Sequence, residues 1–157
     1  MTDRDLLRHS VATLAYRAAK TLRGAPAGFA EFRAAPTTRT PVAILAHMGD
    51  LLDWALHLAQ GRHVWRDSPP QAWDQEVARF YAALRALDDF LASDERLGFL
   101  AARLFQGPVA DVLWHTGQLA LLRRMAGAPI HGENYFKAEI TLGQVGPDQA
   151  TARREFD

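Results

Sequence analysis

Gly107 to Gly127, GPVADVLWHTGQLALLRRMAG, is the stretch whose reading decides both the fold and the chemistry of this chain. It reads as one long helix from Pro108 to about Ala126. Asp111 and His115 stand four residues apart, which puts a carboxylate and an imidazole on one face, one turn above the other. Two ligand-type side chains so placed can both reach one metal ion. Gln118 follows a turn later on nearly the same face, where its amide can orient a ligand. The same residues also suit an ordinary amphipathic helix with polar groups along its edge. A metal centre needs a third ligand from elsewhere.

Upstream, three more helices follow from apolar spacing. The first spans about Asp3 to Leu22, with Thr2 as its N-cap, Asp3 and Asp5 complementing the dipole, and Gly24 as a stop. His9 belongs to its packing or its edge. Gly24 to Thr40 is a loop by its glycines, prolines and threonines. Its length suggests a crossover or a lid, pinned by Phe29 and Phe32. The second helix begins at Pro41 with Thr40 as N-cap and runs to about Gln60 before Gly61. His47 lies on it among Met48, Leu51 and Trp54, where the core should be. Alone it reads as a satisfied core histidine; with Asp111 and His115 it becomes the third ligand. His57 falls toward the surface. Trp65, in the next loop, walls a pocket or anchors the loop. The third helix spans about Pro70 to Leu91, with Asp74, Glu76, Arg79, Arg85, Asp88 and Asp89 on a solvated outer face. Ser93 caps a short helix through Leu104, closed by Gln106, Gly107 and Pro108.

Beyond Gly127 the helical period is lost. Residues 128–157 read as an extended tail packed across an all-α bundle formed by residues 1–127, its last ten residues loose. The charge balance, 18 basic against 18 acidic residues, gives no concentrated basic surface for nucleic acid or an anionic membrane. It also leaves little colloidal repulsion against self-association. Without cysteine, thiolate nucleophiles and thiolate metal sites are excluded, and any ion must be held by nitrogen and oxygen donors. No signal-peptide pattern opens the chain and no apolar run approaches a bilayer span, so a cytoplasmic location is expected.

His47 in ILAHMGDLLDW, together with Asp111 to Gln118 in DVLWHTGQ, resembles the layout of the DinB/YfiT-like family. That layout has a histidine on the second helix of the bundle and an H-x-x-x-H-x-G-Q-like segment on the fourth. The resemblance covers about Leu6 to Gly127. It departs at Asp111, where the family has the first histidine of the pair, and at Thr116, where it usually has arginine. It implies an up-down-type four-helix bundle with a long first connection, and a divalent ion held by His47, Asp111 and His115 with Gln118 behind them. Two histidines and a carboxylate suit zinc, nickel, iron or manganese. The resemblance further implies a metal-dependent S-transferase or isomerase that uses a low-molecular-weight thiol on a small substrate, and a homodimer. Asp50, Trp54 and Tyr135 are the pocket residues expected, Asp50 being also the general base that a hydrolase would need. The alternative is a non-catalytic interaction module with a degenerate site, Asp111 paired to Arg123 or Arg124.

Overall fold

Thr2 opens the first helix by a reciprocal cap: its hydroxyl accepts from the Asp5 amide and the Asp5 carboxylate accepts from the Thr2 amide. The computed structural model describes residues 1–156; Asp157, the end of the segment expected to be loose, lies outside the described residues. Within them run α1 (Asp3–Leu22), α2 (Pro41–Ala59), α3 (Trp73–Ala92), a single turn α4 (Ala101–Leu104) and α5 (Ala110–Met125). A short antiparallel pair follows in the tail, β1 (Gly132–Glu133) with β2 (Glu155–Phe156). The protein is mostly helical, and its four long helices share one core. α2 packs against α3 and α5, and α1 packs against the same two helices. Leu14, Leu45, Met48, Leu52, Phe80, Leu84, Leu87 and Leu119 are essentially sealed from water in that core. Each such side chain contributes about 1.5–3 kcal/mol on burial.

α2 begins at Pro41 as its sequence foretells, with the Thr40 hydroxyl accepting from the Ala43 amide. It is long and apolar enough, at a mean hydropathy of 1.2, to cross a membrane, which corrects the expectation that no run approaches that length. Its apolarity is accounted for by its position: α2 is the core helix, covered by α3 on one side and α5 on another.

Three boundaries differ from the sequence reading. α3 starts at Trp73 rather than Pro70, because side chains engage the amides just before it: Gln71 donates to Glu76 and Ala72 to Gln75. Ser93 is the C-cap of α3, its hydroxyl donating to the Phe90 carbonyl, and the next helical turn begins only at Ala101. α4 and α5 are not separated by a loop. A π-helical turn, Phe105–Val109, joins them, with Gly107 at φ −88° and ψ −105°. Pro108 lacks the amide that would continue an α-helical ladder and its ring crowds the carbonyl four residues back, so the turn widens.

The outer face expected for α3 is in part an inner one. Glu76 and Asp88 are buried. The guanidinium of Arg79 donates to Asp50 (2.8 Å), Glu76 (2.8 Å) and the Ala46 carbonyl (2.6 Å). Arg8 pairs with Asp88 at 2.8 Å, tying α1 to α3. These groups fall on the seams between helices, where a buried charge is tolerated only with its partner.

The tail is ordered over the described residues. Val145 is fully buried, and Glu133 accepts from Tyr16 (2.7 Å) and Lys20 (3.0 Å) of α1. Its last described residues pair as β2 with β1. Lys20 also bonds Glu155, fastening that strand to α1.

One backbone contact sets how closely the loop after α3 meets the end of α2. Gly98 donates to the Ala59 carbonyl at 2.8 Å, and a Cβ at Gly98 would lie 2.1 Å from the Gly61 Cα. Gly98→Ala is therefore expected to cost about 1–3 kcal/mol of stability. Gly146→Ala, whose Cβ would meet nothing within 4 Å, serves as the control, and urea unfolding midpoints read the difference.

Candidate metal centre

His47 comes from the middle of α2, and Asp111 and His115 from the first half of α5. The packing of α2 on α5 brings the three together: one donor atom from each lies within 4.8 Å of the others. The imidazoles of His47 and His115 meet nearly at right angles, ring centres 5.0 Å apart. His115 Nε2 is 3.5 Å from Asp111 Oδ1. Donors held 2.0–2.1 Å from one ion stand about 3–4 Å apart, so the set matches a metal site in donor type and nearly in spacing. The His115 side chain is 12 % exposed and that of Asp111 47 %. The carboxylate is the wet edge of the centre and the histidines are its inner wall.

Gln118 stands beside His115. Its Oε1 lies 2.7 Å from His115 Nδ1. With the imidazole proton on Nδ1, the ring donates to this oxygen and leaves the lone pair of Nε2, 3.5 Å from Asp111 Oδ1, free. This is the tautomer a metal ligand requires, fixed by the bond on the other ring nitrogen. Burial, the nearby His115 and the Arg39 cation hold His47 below its ordinary pKa, against a smaller opposing pull from Asp111 and Asp50. A neutral imidazole is the ligating form. The donors are thus of the right chemical kind for an ion.

A cavity of about 650 Å³ opens beside the two histidines. Ile44, Leu121, Leu122 and Met125 give it apolar walls, and Ala34, Thr38 and Arg39 from the first connection close its rim. The lid reading of that connection named Phe29 and Phe32 as its anchors. Phe29 is indeed buried, edge-on to Trp73. Arg39 was not singled out, and only its position just before the Thr40–Pro41 helix start pointed to it.

The three residues expected around the pocket lie elsewhere. Asp50 is buried, its oxygens taken by Arg79 and by the Ser68 amide (2.9 Å). It is a structural anion and is not free to act as a base. Trp54 stacks on His63 and meets Trp65 edge-on, and Trp65 in turn packs edge-on to His47 at 5.7 Å. Trp54 thus supports the site through Trp65 and does not line the cavity. Tyr135 lies against Tyr16 and under the Arg17 guanidinium on α1. The tail crosses α1 and never brings that ring to the histidines' cavity. His57 is not the surface residue expected: its side chain is 12 % exposed and bonds the Asp53 carbonyl. Arg123 is unavailable to Asp111, since it donates to the carbonyls of Thr21, Arg23 and Ala128.

No protein-family pattern, curated protein or solved structure matches this chain.

The sign of the pH dependence follows from His47. Its folded pKa is lowered from the unfolded value of about 6.5, so between the two values the unfolded chain binds more protons. Stability of the metal-free protein should therefore fall as pH drops through that window and be fully present above it. A ¹H–¹⁵N titration should give a His47 midpoint below about 6.5, and His47→Asn should flatten this part of the stability–pH curve.

Proposed function

We propose that this chain is a DinB-like, up-down four-helix bundle that binds one divalent ion through His47, Asp111 and His115 and uses it on a small thiol-linked substrate, as an S-transferase or isomerase. The observation that carries the metal reading is the His115 arrangement. A histidine whose Nδ1 is bonded to a neighbouring amide, and whose Nε2 faces a carboxylate and a second imidazole, is arranged as a ligand. An ordinary helix edge does not require all three. The thiol chemistry rests on the family resemblance, and the cavity beside the histidines gives it room. A bound divalent ion would supply Lewis acidity, lowering the pKa of a thiol that reaches it. The chain's own residues would do the rest. His47 and His115 present the ion to the cavity, Gln118 holds His115 in register, and Leu121, Leu122 and Met125 exclude water around the substrate.

The donor set favours no single first-row ion. Zinc, nickel, iron and manganese all accept two imidazoles and a carboxylate. Hydrolysis by a metal-bound water is the poorer account, since Asp50 is locked in its ion pairs.

A second reading has an observation in its favour. Trp114 (70 %), Leu121 (58 %) and Met125 (53 %) are exposed along one side of α5, a stripe suited to an interface such as a homodimer. A dimeric interaction protein with a lapsed metal site would keep that stripe and lose the ion.

Elemental mass spectrometry of untagged, chelator-free protein should find about one divalent ion per chain, lost in His115→Ala and His47→Ala. Gln118→Ala should retain the fold and weaken the metal by about 10–100-fold. A wild type that takes up no metal from any of the four ions, at a pH where His47 is neutral, would leave the dimeric module as the better account. Leu121→Lys with light-scattering mass measurement then tests that module: conversion of a dimer to a monomer supports it.

A further inference from the structure

The cavity beside the histidines has an uneven electrical character. Its walls are hydrocarbon from Ile44, Leu121, Leu122 and Met125, and no carboxylate lines it. At its rim stands one permanent cation, Arg39, which is exposed and makes no ion pair or hydrogen bond among the described residues. Several other arginines are used structurally: Arg79 and Arg8 are held by carboxylates, and Arg4 and Arg123 by backbone carbonyls. Arg39 sits one residue before the N-cap of α2, so its backbone is placed by the helix start rather than by a free loop. Apolar walls with one convergent fixed charge are the common make-up of a small-molecule site, and a planar guanidinium favours a carboxylate, which it can bind with two parallel hydrogen bonds.

We infer that the cavity takes an organic carboxylate with an apolar body, the carboxylate on Arg39 and the hydrocarbon against Ile44, Leu122 and Met125. This deepens the reading of the site as a small-molecule centre and rests on it only for which end of the ligand faces the histidines. The anionic end is held at the rim, and the opposite end is directed along the walls toward His47 and His115. A neutral ligand of the same shape forfeits the ion pair, and a short carboxylate forfeits the wall contacts. Selectivity therefore requires both parts in one molecule.

The test uses the full chain freed of metal by dialysis against chelator, so that no carboxylate can bind through an ion. Octanoate, 1-octanol and butyrate are titrated calorimetrically, with amide chemical shifts of α2 and α5 locating the contact. Octanoate should bind at least about tenfold tighter than either of the others, the ratio expected for a charge-assisted pair. Arg39→Gln should abolish the preference over octanol while leaving octanol binding unchanged. Arg153→Gln, at an exposed pair in the tail, should change nothing. Equal binding of octanoate and octanol, no binding of octanoate, or a preference that survives Arg39→Gln would each overturn the inference. Uptake of zinc, nickel, iron and manganese by the same preparations is measured separately. Retained zinc with no octanoate preference removes this inference alone. An Arg39-dependent preference with no uptake of zinc, nickel, iron or manganese removes the metal reading and leaves this one standing.

Discussion

The arrangement depends on a half-buried cation. Arg79 reaches from α3 into α2, where it is held by Asp50, Glu76 and the Ala46 carbonyl. Its guanidinium lies so close to Gly49 that an added Cβ would be 2.8 Å from its central carbon. Only a residue without a side chain allows that approach. The cluster fixes which face of α2 looks at α3. His47 stands three residues before Asp50, about 60° away around the helix axis, so turning Asp50 toward α3 turns His47 toward α5. The same carboxylate accepts from the Ser68 amide, which holds the loop carrying Trp65 beside His47. Removing one member of such a cluster leaves an uncompensated buried charge, the costly way to break an ion pair.

On the other side of the centre the device is a kink. Gly107 leaves the helical region of backbone space between α4 and α5, so the direction of α5 is set afresh after it. Asp111 and His115 follow immediately, so their direction is set by where Pro108 forces the ladder open. Arg123 fixes the far end of the same helix by capping the last carbonyls of α1. The packed helices thus carry His47, Asp111 and His115, while the first connection supplies the rim of the cavity. A site built on packed helices keeps its ligands in register, and a site closed by a loop can change what it admits.

Much of the centre was legible because it is local. His115, Asp111 and Gln118 lie three and four residues apart, and helical geometry alone places them on one face and one turn apart. Thr2, Thr40 and Pro41 mark helix starts by chemistry confined to a few residues. The misreadings of Asp50, Tyr135 and Asp88 are long-range, whereas those of the helix ends and of His57 are local. Asp50 was given a place at the pocket because it is one turn from His47, but its partner is Arg79, 29 residues away. Tyr135 was placed near the site although the tail packs it on Tyr16 and Arg17. Glu76 and Asp88 read as solvated because charges usually are; Glu76 pairs with Arg79 on the next turn, but the arginine that neutralises Asp88 is Arg8, 80 residues away.

By itself, then, the sequence determined the helices, most of their ends, and the ligand type available: no thiolate, hence imidazole and carboxylate. These follow from backbone and side-chain preferences that act within about one helical turn. Only the tertiary structure decided that His47 meets His115, that Arg39 overlooks a cavity whose lining holds no carboxylate, and that Tyr135 of the tail packs on α1. Those outcomes depend on the rotation and offset of one helix against another. Buried charge clusters and a π turn set these, and their partners lie dozens of residues apart.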